Sequence, residues 1–261
     1  MSPERQRESE PPFPTVSTSV DGLCKPLLQA KRGYRFGPEN LVWPTILREY
    51  GHAHSRERER DAPSNSPSDD VTIVDLGAGC GILGLLAAQA THGGRVSLTL
   101  VERNADHAQL CRHNAQCTEA VVTVVEADLR EWDADATATL VVANPPFFRA
   151  GEGQPSRHAT TRESTHAHHG GVHAFAQAIA RTLARTPGSE GWLLYPANQL
   201  ADAMHAAQNA DLHVTGLWLL FSAHKVDAAA YRAWLRLSHQ AAPLEIREIH
   251  GVGSSAEEHS P

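Results

Sequence analysis

The sequence lacks several features that define whole classes of protein. None of its 261 residues belong to an apolar run near the ~20 residues that a membrane-spanning helix needs. Its first residues are charged and proline-rich, without the apolar segment of a secretory signal. Its four cysteines follow no zinc-binding template, so we expect reduced thiols. These absences predict a cytoplasmic protein with no membrane partner.

The chain also lacks an excess of positive charge. It carries 23 Lys and Arg against 30 Asp and Glu, a formal net charge of −7. A protein that binds nucleic acid through its overall charge would be basic, so any RNA contact requires a local basic patch. Solvated charged loops would account for the same residues equally well. The candidates for such a patch are Lys31, Arg32, Arg35, Arg149, Arg157 and Arg162.

The sequence does contain enough apolar material for one α/β domain, since 41% of it is hydrophobic. Polar, proline-rich composition predicts a disordered tail at 1–18, and the insertion 52–70 reads as a flexible loop. A second tail is expected at 251–261. The segment between the tails, 19–250, is therefore predicted to form a single domain.

Short apolar runs alternate with segments of helical composition. Strands are predicted at 71–76, 96–101, 121–125, 139–143 and 192–195, with helices between them. The strands 213–221 and 231–238 are expected to form an antiparallel pair that closes the sheet edge. Asn104 and Asn198 are predicted N-caps, and Trp192, Trp218 and Trp234 are predicted core residues. The pattern indicates an α/β fold: a Rossmann-like, doubly wound, mostly parallel seven-stranded sheet with an antiparallel C-terminal hairpin.

A glycine-rich turn follows the first of these parallel strands. Asp75 ends the strand, and Gly77, Gly79 and Gly81 follow before a helix. Glycines allow a sharp turn and a close approach of the backbone to a ligand, and the next helix offers free N–H groups. The alternative is a tight turn with no ligand. Because the turn lies where doubly wound sheets bind ligands, we interpret it as a nucleotide-type site.

Two acidic residues end the next two strands. Glu102 follows the second strand, where a carboxylate can accept hydrogen bonds from ribose hydroxyls. This position suits NAD equally well, and a solvated carboxylate remains an alternative. Asp128 follows the third strand and is a candidate acceptor for an adenine amino group or, alternatively, a helix N-cap.

The fourth strand ends in Asn144-Pro145-Pro146-Phe147. Consecutive prolines remove two backbone donors and leave carbonyl acceptors, to which the Asn side-chain oxygen adds another. Phe147 offers a flat face on which a planar group can stack. Two acceptors that hold both N–H bonds of an exocyclic amino group would turn its delocalised lone pair toward an incoming electrophile. The alternative is a proline-rich turn with a core phenylalanine.

The motifs DLGAGCGILGL, VERN, EADL and NPPF resemble those of the class I S-adenosylmethionine-dependent methyltransferases. The NPPF form is similar to the subset that modifies adenine-N6, guanine-N2 or glutamine-N5. The segments 33–37 and 144–153 are similar to those of one group, the bacterial tRNA (adenine-N6)-methyltransferases. These enzymes modify the adenine next to the anticodon of a valine tRNA. The resemblance covers residues 23–240. Glu39 stands where that family usually has Asp.

The resemblance implies S-adenosylmethionine as the cofactor and an RNA, namely a tRNA, as the substrate. The residues do not determine the oligomeric state, for which a monomer is favoured. The resemblance assigns catalytic roles to Asn144, Pro145, Pro146 and Phe147. It assigns cofactor binding to Asp75, Gly77, Ala78, Gly79, Gly81, Glu102, Arg103, Asp128, Leu129 and Asn144.

Other functions remain open on the residues alone. One is methylation of a protein glutamine or of guanine in rRNA, although glutamine enzymes usually carry a helical N-terminal domain and only about 70 residues precede the first parallel strand here. Others are a non-catalytic binding module and an NAD oxidoreductase. The histidine-rich loop 158–173 does not predict a metal site, because the spacing of its histidines is irregular.

Overall fold

The computed structural model describes residues 13–31, 35–49, 70–91, 95–132, 136–146, 171–223 and 229–253. The strands are β1 (Thr15–Thr18), β2 (Leu27–Ala30), β3 (Val71–Leu76), β4 (Val96–Glu102), β5 (Val121–Glu126), β6 (Leu140–Ala143), β7 (Glu190–Pro196), β8 (His213–Ser222), β9 (Arg232–Ser238) and β10 (Glu245–Val252). The helices are α1 (Pro38–Leu41), α2 (43–49), α3 (Ile82–Ala90), α4 (Ala105–Asn114), α5 (Gly171–Thr182) and α6 (Leu200–Asn209).

Eight strands form the central sheet, in the order β10-β8-β9-β7-β6-β3-β4-β5. Strands β3 to β7 are all parallel to one another, whereas β9 runs antiparallel to both β7 and β8. The chain leaves β3 toward β4 and β5 on one side and later returns to β6 on the other, so the order reverses beside β3. Ligands in doubly wound sheets bind at such a switch point, outside the carboxyl ends of the strands.

Both faces of the sheet are covered, which explains the continuous apolar runs of the central strands. Successive residues of β3 enter different clusters: Ile73 packs with Leu85 of α3 on one face, and Val74 packs with Ile179 of α5 on the other. The predicted core tryptophans are buried as expected. Trp43 of α2 joins them, with its ring stacked 4.5 Å from that of Trp234, and so ties the N-terminal segment to the sheet.

The predicted α/β class, the doubly wound topology and the antiparallel pairing of β8 with β9 are confirmed. The sheet has eight strands rather than seven, because one further strand lies outside the pair that was expected to close the edge. The edge belongs to β10, which runs parallel to β8. Five of its eight residues are exposed, and its apolar residues Ile246, Ile249 and Val252 recur at every third position, so no alternation of apolar and polar positions marks it as a strand.

The two predicted helix caps had different outcomes. Asn104 caps α4 as expected, since its side chain accepts a hydrogen bond from the backbone N–H of His107 at 3.1 Å. Asn198 does not cap α6. It lies within a turn of 3₁₀-helix, Ala197–Gln199, and α6 begins at Leu200 without a side-chain cap.

The predicted domain bounds of 19–250 stay a prediction. Strand β1 lies in the segment that composition assigned to a tail, and β10 ends at Val252. The insertion 52–70 falls outside the described residues except for Asp70. Within the described ranges, no helix combines the length and the apolar character needed to cross a membrane.

Candidate functional site

A pocket opens at the carboxyl ends of β3, β4, β5 and β6. Its walls come from the glycine-rich turn, the strand ends, α5 and the segment that precedes β3. Nine residues that were predicted to bind a cofactor line it: Asp75, Gly77, Ala78, Gly79, Glu102, Arg103, Asp128, Leu129 and Asn144. The topology thus brings together residues that are up to 69 positions apart in the chain, although their individual roles stay predictions.

The glycine-rich turn has three residues in the left-handed region, where a side chain is strained. These are Gly77, Gly79 and Gly81, with φ of 69°, 60° and 85°. A Cβ on Gly79 would meet no atom within 4 Å, and this residue lines the pocket, so its missing side chain leaves space for a ligand. Gly81 does not line the pocket. It is the N-cap of α3, and a Cβ there would lie 3.1 Å from Leu100.

Asp75 is a buried carboxyl group at the end of β3. Only 2% of the residue is exposed, and its Oδ2 accepts a hydrogen bond from the backbone N–H of Gly84 at 2.8 Å. Burial raises the pKa of Asp75 to about 7, although the hydrogen bond from Gly84 opposes this and the nearby Glu102 adds to it. The side chain therefore helps to fasten the first turn of α3 beneath the pocket floor.

Glu102 connects the end of β4 to the glycine-rich turn. Its Oε2 accepts a hydrogen bond from the N–H of Gly79 at 2.8 Å, and its Oε1 accepts one from the N–H of Asn104 at 2.8 Å. A carboxylate oxygen can accept more than one hydrogen bond, so both oxygens retain the capacity to bind ribose hydroxyls. This orientation by two backbone amides was not foreseen from the sequence.

Asp128 has a local structural role as well as a place in the pocket. Its Oδ1 accepts hydrogen bonds from the backbone N–H and the Nε of Arg130, at 3.0 and 2.9 Å, and its Oδ2 pairs with Arg130 Nη2 at 2.6 Å. The hydrogen bonds from the Arg130 side chain lower the pKa of Asp128 to about 2. The alternative of a helix N-cap is not met, because residues 129–131 form a turn and not a helix. The carboxylate stays ionised where it lines the pocket.

The end of β6 carries three described residues of the predicted tetrapeptide. In the register between β3 and β6, Ala143 pairs with Leu76, so Asn144 follows beside the start of the glycine-rich turn. Asn144, Pro145 and Pro146 all line the pocket. Phe147 lies outside the described residues. The described part of the motif therefore shares one cavity with Gly79.

The predicted basic patch is only partly within the described residues. Lys31 and Arg35 are exposed and do not line the pocket. The other four, Arg32, Arg149, Arg157 and Arg162, lie outside the described ranges, as do His158, His166, His168 and His169. His173 is on α5 with its ring edge-on to that of His205. No group of three candidate metal ligands occurs in the portion of the chain that the structure describes.

The sequence analysis missed one wall of the pocket, which the N-terminal segment supplies through Gln29, Ala30, Phe36 and Asn40. One buried side chain that fastens this wall is that of Asn114 on α4. Asn114 Nδ2 donates to the carbonyls of Leu28 and Cys80, both at 2.8 Å, and its Oδ1 accepts from the N–H of Leu28 at 2.9 Å. A contact across 86 positions leaves no local pattern that could have predicted it.

Comparisons with known proteins relate this chain to methyltransferases. Residues 64–167 match the methyltransferase small domain family. The chain is 33% identical over 87 residues to a protein of Glaesserella parasuis named tRNA1(Val) (adenine(37)-N6)-methyltransferase, covering 31% of this chain and 35% of that one. A protein of the same name from Aeromonas hydrophila is 27% identical over 181 residues, covering 68% and 72%. The chain thus spans about a third of the length of the first of these relatives.

Solved structures show the same fold at low sequence identity. The Pyrococcus horikoshii protein TYW2, solved in complex with MeSAdo, superimposes with a TM-score of 0.53 and 11% identity, covering 87% of this chain and 72% of that one. The Rossmann-like fold that the alternation of strands and helices predicted is confirmed by such neighbours.

Proposed function

We propose that this chain is a class I methyltransferase that transfers the methyl group of S-adenosylmethionine to an exocyclic amino nitrogen, namely N6 of an adenine in tRNA. One observation carries the proposal. The glycine-rich turn with Glu102 and the acceptor-rich end of β6 line the same pocket. A donor site and a site for an amino group are therefore adjacent.

The residues present fit S-adenosylmethionine. Gly79 leaves space where any other residue would place a Cβ, and Glu102 is held in position by the N–H groups of Gly79 and Asn104. Glu102 would accept hydrogen bonds from the ribose hydroxyls, and Asp128 with Leu129 would bind the adenine ring. Bound there, S-adenosylmethionine supplies an electrophilic methyl group on a sulfonium, which is already a good leaving group.

The end of β6 would hold the amino group that receives the methyl. The side-chain oxygen of Asn144 and the carbonyl of Pro145 are acceptors, and the ring nitrogens of Pro145 and Pro146 carry no competing N–H. Two acceptors that hold both N–H bonds align the nitrogen lone pair with the methyl group. The protein thus contributes alignment and the exclusion of water, and the chemistry needs little further acid–base assistance.

The choice of adenine in tRNA is supported by the names of the curated relatives and by the NPPF form of the motif. Lys31 and Arg35 are exposed on the same N-terminal segment that forms a pocket wall, where they are available to RNA phosphates. The target adenine would have to leave its stack to reach the end of β6, as bases do in enzymes that modify them.

The test is transfer of labelled methyl groups from S-adenosylmethionine onto total tRNA, total rRNA and a protein extract, followed by analysis of the labelled nucleosides or residues. We expect N6-methyladenosine in tRNA, and labelling that is slower by about 100-fold with the matched variant Asn144→Ala. Label on guanine in rRNA would support methyltransferase activity but would overturn the assignment of a tRNA adenine as the substrate. Label only in protein would overturn the assignment to RNA.

A further inference from the structure

Two cysteines lie side by side where the N-terminal segment meets the end of α4. The backbone N–H of Cys24 donates to the carbonyl of Cys117 at 3.2 Å, although 93 positions separate the two residues. Residues paired by backbone hydrogen bonds in a sheet have Cα atoms about 5.5 Å apart. Disulfides span roughly 4.4–6.8 Å between Cα atoms, so a backbone hydrogen bond holds these two cysteines at a suitable spacing.

The two thiols also lie against each other's segments. Cys24 Sγ is 3.5 Å from the carbonyl oxygen of Gln116, and Cys117 Sγ is 3.7 Å from that of Pro26. Gln116 immediately precedes Cys117, and Pro26 is two residues after Cys24. Both sulfur atoms therefore lie at the junction of the same two stretches of chain, and side-chain rotation is the movement that a disulfide between them requires.

The two thiols differ in their access to solvent. Cys24 is exposed, whereas Cys117 is only 3% exposed. Burial, with a smaller contribution from the nearby Cys24, raises the pKa of the Cys117 thiol. Attack on a dissolved disulfide requires an accessible thiolate. Cys24 is therefore the attacking residue, and Cys117 is placed to react second, with the sulfur of Cys24.

The other two cysteines are poorly suited to the same reaction. Cys111 is fully buried, and its thiol donates to the carbonyl of Gly79 at 3.2 Å. Burial raises the pKa of Cys80 to about 12 and that of Cys111 well above its usual value. Neither residue forms an accessible thiolate near neutral pH, so a dissolved disulfide selects Cys24.

A disulfide at this junction would fasten the N-terminal wall of the pocket, to which Gln29 and Asn40 belong. Cys24 precedes β2, and Cys117 ends a turn of 3₁₀-helix that follows α4. The hydrogen bonds between the Asn114 side chain and Leu28 already join the same two elements. The closed loop would be long, since it contains β3, β4 and the glycine-rich turn, so the cross-link removes much conformational entropy from the unfolded chain.

We propose that Cys24 and Cys117 form a modification site for low-molecular-weight disulfides, at which a reversible cross-link locks the N-terminal wall onto α4. The thiolate of Cys24 attacks one sulfur of glutathione disulfide and forms a mixed disulfide. The S–S bond of the reagent breaks, and the departing thiolate takes up the proton that Cys24 released.

The second step closes the cross-link. Cys117 attacks Cys24 Sγ, the mixed disulfide breaks, and the second glutathione leaves as a thiol with the proton of Cys117. The two cysteines are thereby oxidised to one disulfide while the reagent is reduced to two thiols. This inference is independent of the proposed function, because neither step involves S-adenosylmethionine or RNA.

The experiment treats the folded full chain with glutathione disulfide at neutral pH and then blocks the remaining thiols. Peptide mapping without reduction should find one cross-link, between the peptides that carry Cys24 and Cys117. The cross-linked protein should have a Tm roughly 10 °C above that of the reduced protein, as expected for a long closed loop in a chain of this size. Dithiothreitol should reverse both changes.

Two variants separate the roles of the two cysteines. Cys117→Ala should retain one glutathione on Cys24, because the thiol that would displace it is missing. Cys24→Ser, a conservative change at an exposed site, should take up no glutathione, and the treatment should leave its Tm unchanged. The matched control Cys80→Ser should form the cross-link as the unmodified chain does.

A cross-link between Cys80 and Cys111, or a disulfide between two chains, would overturn the inference. A stable glutathione adduct on Cys24 of the unmodified chain would overturn it too, because the second thiol would then be out of reach. The same holds for a lack of reaction in the folded chain, and for a cross-link that does not raise Tm. A cross-link between Cys24 and Cys117 that raises Tm and is reversed by dithiothreitol is the result that supports the inference.

Discussion

Two glycines of this chain allow backbone strain to be separated from ligand exclusion. Gly79 and Gly251 both have positive φ, at 60° and 78°, and a Cβ on either would meet no atom within 4 Å. Alanine at each site should therefore lower the free energy of unfolding by a similar amount, about 1–2 kcal/mol, for occupying the left-handed region. Only Gly79 lies in the pocket.

The two variants should consequently differ in binding. The new methyl group of Gly79→Ala would occupy space that the ligand needs, and we expect affinity for S-adenosylhomocysteine to fall at least tenfold, or about 1.4 kcal/mol. Gly251→Ala should bind as the unmodified chain does. Urea denaturation measures the first effect and calorimetry the second. Equal affinities of the two variants would refute the argument that the glycine-rich turn lies against the ligand.

Three other predictions concern the same site. Burial raises the pKa of Asp75 from 3.8 to about 7, so the ligand-free protein should lose stability as pH rises through that interval. The full effect is about 4 kcal/mol. Asp75→Asn, which retains an acceptor for Gly84, should flatten the pH profile of urea denaturation; an unchanged profile would contradict this. Asn144→Ala should reduce turnover by roughly 100-fold and affinity for S-adenosylhomocysteine by less than about tenfold. A larger loss of affinity than of turnover would contradict the proposed role of Asn144 in the reaction. Asn114→Ala breaks three buried hydrogen bonds and should cost about 3 kcal/mol of unfolding free energy. The control Asn209→Ala, at an exposed asparagine, should lower the free energy of unfolding by less than about 0.5 kcal/mol. If the two variants lowered it by similar amounts, Asn114 would not anchor the N-terminal wall as proposed.

The sequence analysis predicted those strands whose burial requires a run of apolar residues. Strands β3 and β7 are buried on both faces and therefore appear as continuous apolar runs. Strand β10 is an edge strand with mostly exposed residues, so hydrophobic periodicity could not reveal it. Because β10 was not predicted, the pair of β8 and β9 was expected to form the sheet edge that β10 occupies.

The same distinction applies to the pocket. Residues at the ends of parallel strands, such as Glu102 and Asn144, could be predicted to converge because topology alone brings strand ends together. The wall with Gln29 and Asn40 could not be predicted, because it depends on Asn114 and on the contact of Trp43 with Trp234. Such contacts join distant segments through single side chains and have no periodic signature.

The most direct test of the account is a crystal structure of the full chain with S-adenosylhomocysteine bound. The account predicts that the ribose contacts Glu102, that the adenine lies beside Asp128 and that the sulfur faces Asn144. A nucleoside bound elsewhere, or one in this pocket with its sulfur directed away from Asn144, would contradict the claim that the glycine-rich turn and the end of β6 form one methyl-transfer site.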